Sequence, residues 1–273
     1  MTYYFIIRGA YMEAEKIRIN KYLSQCGVCS RREADRMLDD GRIRIGGRTA
    51  AKGDLVSPGE EVTVDGTRIE QTGQEIVIAF HKPKGIVCTS SKKDRAVNII
   101  EYIDFPERIY PVGRLDKGST GLILLTNNGQ LMDDILRGSN AHEKEYVVTI
   151  NRDLTPSICQ AMEQGVPILG TMTRPCRITH RQGRQFHITL TQGLNRQIRR
   201  MCEYFGYRVY KLERIRIMNI KLGDLPEGKW RYLSEDELRC LKEMCRKKRS
   251  QESERDRKGT EPYPHEGTGE DTE

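Results

Sequence analysis

Residues 113–125 read GRLDKGSTGLILL, a polar loop with three glycines that runs into four consecutive branched apolar residues. The apolar run predicts a buried strand, because no polar residue interrupts it. The glycines and the polar residues before it predict a turn-containing loop. An aspartate beside Lys-Gly is most often a turn residue, so Asp116 alone says little about function. The stretch therefore first predicts structure, a loop that leads into the centre of a sheet.

Further apolar runs on both sides of this stretch extend the predicted sheet. Strands are indicated at residues 76–80, 146–150 and 185–190. Helical patterns are fewer and cover residues 129–137, 156–164, 196–205 and 235–246. Many strands with few interspersed helices favour an α+β fold with a large, mostly antiparallel sheet over a doubly wound fold. We place this domain at residues 74–245.

A smaller basic unit precedes it and occupies residues 16–72. A short helix is predicted to end at Gly27, and Ser30-Arg31-Arg32-Glu33 has the capping-box form that starts a second helix. A small sheet follows, since residues 42–45 alternate polar and apolar side chains. Residues 16–52 hold ten Lys and Arg against four acids. Such a balance favours an anionic partner such as nucleic acid.

The two ends of the chain lack these patterns. We expect residues 1–15 to be an unstructured extension and residues 246–273 to be a disordered charged tail. The apolar residues 3–7 are too few for a signal peptide. The chain also has no apolar run near the roughly 20 residues of a membrane span. We therefore expect a cytoplasmic protein that is not associated with a membrane.

Charge and cysteine usage narrow the function classes. The chain carries a net charge of +7, and residues 259–273 hold five acids and no Lys or Arg, so the remainder carries +12. The glycine spacing contains no nucleotide-binding motif, and we expect no nucleotide cofactor. Cys26 and Cys29 have zinc-ligand spacing, but nothing completes four ligands, so we expect no metal. The eight cysteines are interpreted as thiols in a reducing compartment.

Four short motifs occur in an order that resembles the RNA pseudouridine synthases that modify ribosomal RNA. They are KPKG at 82–85, GRLDKGSTG at 113–121, KEY at 144–146 and NRQIRRM at 195–201. The N-terminal unit, with SRREA at 30–34, resembles the α-L RNA-binding domain of a small-subunit ribosomal protein and of bacterial tyrosyl-tRNA synthetases. Together the resemblance covers about residues 16–246. The variant QGLNR at 192–196 is most similar to the large-subunit branch of type F.

The resemblance assigns roles to residues of these motifs. Asp116 matches the nucleophile, Tyr146 the aromatic residue that stacks on the target base and assists removal of its C5 proton, and Arg199 the basic partner of the aspartate. Arg114 matches the residue that enters the base stack when the nucleotide flips out. The motif residues expected to contact RNA are Arg114, Leu115, Lys117, Asn195, Arg196, Gln197, Ile198 and Arg200. In the N-terminal domain they are Arg31, Arg32, Arg36 and Arg44.

The stretch 195–217 is strongly basic. It carries seven basic residues against two acids. Three arginines at a helix start are unfavourable because they oppose the helix dipole. Phosphate contact therefore explains their presence better than helix stability does. The stretch also contains Arg214 and Arg216, which this interpretation assigns to phosphate contact as well.

The resulting hypothesis is a monomeric, cofactor-free isomerase that converts specific uridines in 23S ribosomal RNA to pseudouridine, with a tRNA as a further candidate substrate. Whether Asp116 attacks the ribose or the uracil ring stays open. One alternative is a non-catalytic RNA-binding or ribosome-assembly protein. A second is a hydrolytic nucleosidase that uses the same aspartate, which would release free uracil.

Overall fold

A computed structural model describes residues 5–7, 10–12, 16–70, 74–88, 96–137 and 141–258, with side chains for residues 16–246 within these ranges. The chain divides into two compact units. The first comprises residues 1–133, 211–215 and 222–233, and the second comprises 134–210, 216–221 and 234–273.

The N-terminal domain contains two helices and small antiparallel sheets, as predicted. Its helices are α1 (Ile19–Gln25) and α2 (Arg31–Asp39). The Ser30 hydroxyl accepts the Glu33 N–H at 3.1 Å, which is the predicted helix cap. Its strands are β3 (Ile17–Arg18), β4 (Ile43–Ile45), β5 (Arg48–Thr49), β6 (Leu55–Val56), β7 (Val62–Val64) and β8 (Thr67–Ile69). Strand β3 pairs with β6, and the others form a sheet in the order β5-β4-β7-β8.

One apolar core holds this domain together. The helices contribute Ile19, Leu23 and Leu38, and the strands contribute Ile43 and Val62, all buried. Burial of one such side chain contributes about 1.5–3 kcal/mol. A domain of about fifty residues depends on nearly all of these side chains, because small domains bury a small fraction of their surface.

The larger domain is built on a nine-stranded sheet. Its longer strands are β9 (Val77–Lys82), β11 (Thr120–Thr126), β12 (Lys144–Ile150), β15 (Arg177–Gln182), β16 (Gln185–Leu190) and β17 (Val209–Ile217). The shorter ones are β10 (Tyr110–Val112), β18 (Ile220–Lys221) and β19 (Trp230–Tyr232). The order is β15-β16-β12-β17-β11-β9-β19, with β10 on β11 and β18 on β17. A separate two-stranded ribbon joins β13 (Pro167–Ile168) and β14 (Thr171–Met172).

The sheet confirms the predicted α+β class. The register shows antiparallel pairing for β9–β11, β12–β16 and β15–β16. Strands β11 and β17 are parallel, so the sheet is mixed. The helices of this domain are α3 (Ile99–Ile103), α4 (Gly129–Leu136), α5 (Pro156–Gln164), α6 (Gln197–Tyr204) and α7 (Glu235–Lys258).

Strand β11 confirms the prediction made from residues 113–125. Residues 121–126 are all buried, so both faces of the strand are covered. A strand covered on both faces has no solvent side and shows no polar alternation. This explains the continuous apolar run that identified it.

Regular structure lies within both of the ends that the sequence predicts to be disordered. At the N-terminus, β1 (Phe5–Ile7) and β2 (Ala10–Met12) pair as an antiparallel hairpin, since aromatic and β-branched residues favour extended backbone. At the C-terminus, α7 continues to Lys258. The residues after Arg246 lack an apolar stripe but are mainly Glu, Gln, Lys and Arg, which have high helix propensity. The remaining predicted tail, 259–273, lies outside the described residues.

Candidate active site

The loop that carries Asp116 is fixed by its backbone. The Ser119 N–H donates to the Asp116 carbonyl at 3.0 Å and closes a turn. The Gly85 N–H donates to the Lys117 carbonyl at 2.8 Å, which joins the KPKG motif to this loop. The Asp116 side chain is half-buried, those of Arg114 and Lys117 are exposed, and that of Leu115 is buried.

A buried lysine lies beneath the loop. Lys82 stands at the end of β9 and is 0% exposed. Its ammonium donates to the carbonyls of Pro83 at 2.8 Å and Ser119 at 2.9 Å. Burial lowers the pKa of Lys82, while the neighbouring Cys88 and Asp116 groups oppose that shift. Lys82 therefore joins the KPKG segment to the Ser119 end of the turn and adds positive potential near Asp116.

Two further buried groups support this loop and the strand after it. The Leu115 N–H donates to the Cys88 sulfur at 3.4 Å. Burial raises the pKa of the Cys88 thiol, so the thiol form is favoured. The Arg214 Nε donates to the Leu122 carbonyl at 2.7 Å, and Arg214 is only 2% exposed. The interpretation of Arg214 as a phosphate contact is therefore wrong, because its side chain is inside the protein.

Tyr146 belongs to the second unit. It lies on β12 opposite Ile188 and is half-buried. The adjacent Glu145 accepts from Arg216 at 2.8 Å and lies 3.2 Å from His187. Burial acts to raise the pKa of Glu145, but these hydrogen bonds outweigh it and hold that pKa below its usual value. The contacts of Glu145 with Arg216 and His187 thus fix the strand that carries Tyr146.

Arg216 is the second correction in the stretch 195–217. Besides Glu145, its guanidinium donates to Glu143 at 2.9 Å. Both acids lie on or directly before β12. Arg216 therefore connects β17 to β12 and does not present a free cation for phosphate.

The NRQIRRM motif forms the start of α6. Arg196 precedes the helix with a left-handed backbone, φ 51°. The Gln197 Oε1 accepts the Leu194 N–H at 3.0 Å, and Gln197 and Ile198 are each only 4% exposed. The side chains of these last two residues therefore hold the helix start, which leaves them little surface for the expected RNA contact.

The arginines of α6 differ in their surroundings. The half-buried Arg199 donates to the Val209 carbonyl at 3.1 Å. Arg200 donates through Nε to the Asn195 carbonyl at 3.1 Å. Asn195 and Arg196 are exposed. Asp116 belongs to the first unit and Tyr146 and Arg199 to the second, so pairing of Arg199 with Asp116 stays a prediction.

The four arginines predicted to bind RNA in the N-terminal domain fall into two groups. Arg31 lies 3.3 Å from Asp133 of α4, and Arg36 lies 3.0 Å from Glu33. Arg32 and Arg44 are exposed, and neither makes an ion pair with any residue that the structure describes. Arg32 and Arg44 are thus the better placed of the four for phosphate contact.

Sequence reasoning missed the support that Lys82, Cys88 and Arg214 give to the Asp116 loop. The KPKG motif does carry a signal for Lys82, because it follows closely on a predicted strand. Cys88 and Arg214 had no comparable local signal. Their partners lie 27 and 92 positions away in the chain.

Two properties concern ligands and membranes. Among the side chains that the structure describes, no group of three or more His, Cys, Asp or Glu residues is arranged to hold a metal ion. No helix in the described ranges is both long and apolar enough to cross a membrane.

Comparisons with known proteins agree with these features. A family model described as RNA pseudouridylate synthase matches residues 76–204, and an S4 domain model matches residues 17–62. Over 224 residues the chain is 51% identical to the dual-specificity RNA pseudouridine synthase RluF of Escherichia coli K12, which covers 81% of this chain and 77% of that protein. Over 236 residues it is 28% identical to ribosomal large subunit pseudouridine synthase B of Bacillus subtilis 168, covering 84% and 96%.

A solved structure supports the same conclusion. A crystal structure of a pseudouridylate synthase matches with a TM-score of 0.62 and 25% identity, over 82% of this chain and 99% of that chain. The resemblance derived from the four motifs, including that to type F, is confirmed. The chain therefore belongs to the RNA pseudouridine synthases, enzymes that isomerise uridine to pseudouridine, and it carries an N-terminal S4 domain.

Proposed function

We propose that this enzyme modifies specific uridines of 23S ribosomal RNA, with a tRNA as a candidate second substrate. Two relatives support the substrate class, one named a dual-specificity RNA pseudouridine synthase and the other a ribosomal large subunit enzyme. We further propose that it acts as a monomer in the cytoplasm without a nucleotide cofactor. The observation that carries the proposal is the fixed loop that presents the half-buried Asp116 carboxylate.

The reaction needs a group that holds one fragment while the other moves. The bond between uracil N1 and ribose C1′ breaks, a bond between uracil C5 and C1′ forms, and the C5 proton is lost while N1 gains one. A carboxylate nucleophile can bond to one fragment during the rotation of the base. We assign this role to Asp116, through attack on either the ribose or the ring. Atoms are conserved, so the reaction requires no oxidant or reductant.

The other two assigned residues act on the base and on the nucleophile. Tyr146 stacks on the flipped uracil and assists removal of the C5 proton. Base flipping costs a few kcal/mol, which stacking and cationic contacts offset. Arg199 pairs with Asp116 and favours its ionised form, because an opposite charge within about 4–6 Å stabilises the carboxylate. Arg114, exposed beside Asp116, enters the stack in place of the base.

We expect Arg199→Ala to lower kcat by about 100-fold or more, as loss of a preorganised cationic group does in other active sites. Arg199→Lys should restore only part of the rate, because an ammonium lacks the planar fork of a guanidinium. The measurement is single-turnover pseudouridine formation on 23S RNA transcribed in vitro. Both variants also lose the hydrogen bond to the Val209 carbonyl, so thermal unfolding is measured to separate loss of stability from loss of catalysis.

Arg200→Ala is the matched control on the same helix. We expect it to raise KM with little change in kcat, since the contacts of Arg200 are to its own loop and its proposed role is phosphate binding. An Arg199→Ala enzyme with wild-type kcat would refute the pairing and reassign Arg199 to RNA binding.

In the S4 domain we expect the phosphate contacts to come from Arg32 and Arg44, the arginines that make no ion pair with a residue that the structure describes. Replacing Arg32 and Arg44 by Gln should weaken RNA binding and flatten its salt dependence, by about 0.7–0.9 in log–log slope per lost contact. The control replaces Arg42 and Arg48, whose guanidinium groups bond to Asp65 and Asp54. Equal slopes in both double variants would show that pairing does not decide which arginines bind RNA.

Deletion of residues 1–72 should weaken RNA binding more than the double substitution does, while pseudouridine formation persists at high RNA concentration.

Mapping of pseudouridine in cells tests the proposed function as a whole. Ribosomal RNA from cells that lack this gene should lose one or more pseudouridines, which the wild-type gene should restore. If the wild-type gene restored ribosome assembly without restoring any pseudouridine, a non-catalytic assembly protein would be favoured. Free uracil as the product in vitro would instead identify a hydrolytic nucleosidase.

A further inference from the structure

The second unit contains a long stretch without acidic residues. Residues 164–202 include seven arginines and no Asp or Glu. Within it, β15 and β16 pair as an antiparallel hairpin, and the exposed Arg177, Arg181 and Arg184 lie on it; these three are called the hairpin arginines. We propose that the hairpin arginines bind the phosphate backbone of double-stranded RNA, as a contact surface separate from the S4 domain. The inference rests on the proposed function and adds a second RNA-binding surface to it.

The hairpin arginines differ from many others in this protein because they are not neutralised. None of the three makes an ion pair with a residue that the structure describes. By contrast, Arg36 pairs with Glu33 at 3.0 Å and Arg239 with Asp236 at 2.6 Å. An adjacent carboxylate cancels most of the field of a guanidinium at a distance. The three hairpin cations therefore attract an anion more strongly than the paired arginines do.

Two acids approach the hairpin, Glu163 at β15 and Asp153 at the turn. The Glu163 carboxylate accepts the Ile178 N–H at 2.7 Å. The Asp153 carboxylate lies near Gly183 in the hairpin turn. A third acid, Glu145, is occupied by Arg216 and His187. None of these three acids makes an ion pair with a hairpin arginine, so the positive charge of the three guanidinium groups is not neutralised.

The hairpin lies at the edge of the sheet. Strand β15 is the last strand in the sheet order, so its outer edge has no neighbour among the described strands. Ile178 and Ile188 are opposite each other and buried, which anchors the hairpin on one face. Arg177 and Arg181 are four residues apart, or about 13 Å along a strand. The register shifts between Thr179 and Gln182, so Arg181 lies at a bulge.

The side chains around the arginines favour a duplex over a single strand. Proteins that bind single strands stack bases on exposed aromatic rings. The hairpin exposes no Phe, Tyr or Trp ring, because Phe186 is buried, and its exposed His180 ring packs 4.7 Å from that of His187. The exposed Gln182 and Gln185 instead offer amide groups for phosphate and 2′-hydroxyl contacts. Contacts of this kind recognise the A-form backbone by shape.

The test is replacement of all three hairpin arginines by Gln in the full-length protein. The probes are a labelled RNA duplex of about 20 base pairs and a single strand of the same length. This length suffices because a typical double-stranded RNA-binding domain contacts about 16 base pairs. Dissociation constants are measured between about 50 and 300 mM KCl. We expect the log–log salt slope on the duplex to fall by about 2–3 and affinity at low salt to fall about tenfold or more. Replacement by Lys should preserve the slope.

A second triple variant removes the same charge elsewhere. It carries Arg68→Gln, Arg108→Gln and Arg239→Gln, at exposed positions where Arg68 pairs with Glu70, Arg108 lies over the Tyr110 ring, and Arg239 pairs with Asp236. The hairpin variant must lose more duplex affinity than this control. Equal losses, an unchanged slope, or a loss confined to the single strand would each overturn the proposal. If the triple variant unfolds, Arg181→Gln and Arg184→Gln are measured singly, each with an expected slope change of about 0.7–0.9.

A separate readout distinguishes this inference from the proposed function. At saturating enzyme the hairpin variant should form pseudouridine in 23S RNA transcribed in vitro at the wild-type rate, within about threefold, because none of the three arginines is assigned a role in the reaction. A wild-type protein that forms no pseudouridine would refute the proposed function, whereas the duplex titration would still decide whether the hairpin binds RNA. A hairpin variant with normal duplex binding but no activity would overturn the inference.

Discussion

Asp116→Asn is expected to abolish pseudouridine formation, with a loss of at least about 10⁴-fold in single-turnover rate, as removal of a nucleophile does in other enzymes. A carboxamide has nearly the same shape but does not form the covalent bond to the substrate. The loop should keep its structure, since Lys82 and Gly85 hold it through the carbonyls of Ser119 and Lys117. RNA affinity should change by less than about tenfold, because phosphate contacts supply most of it.

Two measurements separate loss of chemistry from loss of structure. Thermal unfolding should be close to wild type, and a duplex titration should give nearly the same dissociation constant. The control is Asp224→Asn, an exposed aspartate of the same unit, which should remain fully active. Substantial pseudouridine formation by purified Asp116→Asn protein would show that another group is the nucleophile.

Gly121→Ala is expected to destabilise the protein severely, by about 3 kcal/mol or more, since it combines backbone strain with overpacking. A Cβ on Gly121 would lie 2.3 Å from the Arg214 carbonyl oxygen and 2.5 Å from its nitrogen. Gly121 also has φ +106°, a conformation that side chains rarely adopt. The atoms in conflict belong to paired backbone, because Gly121 is opposite both Lys82 on β9 and Arg214 on β17. Neither strand can move without breaking the centre of the sheet.

Chemical or thermal unfolding measures this effect. A loss of about 3 kcal/mol lowers the melting temperature of a protein of this size by about 10 °C. Gly193→Ala is the matched control, because a Cβ there would meet nothing within 4 Å. We expect its stability to change by less than about 0.5 kcal/mol. If both variants melted at the wild-type temperature, the close approach of β11 and β17 would not exist in solution.

The sequence predicted those parts of the fold that local patterns encode. Ser30 and Glu33 specify the start of α2, because a helix cap needs only residues three positions apart. Strand β11 was identified from its uninterrupted apolar run, which is the pattern of a strand buried on both faces. The C-terminal end of α7 was not predicted, because it lacks such an apolar pattern. Residues 247–258 have helix-forming composition but no apolar stripe, and the prediction relied on the stripe.

The sequence also led to the family, since four motifs occur in order, and it predicts Asp116 as the nucleophile. The tertiary structure decided which of the basic residues are available to RNA. Arg214 and Arg216 lie in the same basic stretch as Arg200, yet their guanidinium groups are bonded to partners 92 and 71 positions away in the chain. Arg31 is similarly bonded to Asp133, 102 positions away. Local charge counts treat all these arginines alike, whereas an ion pair or a buried carbonyl depends on distant segments that only folding brings together.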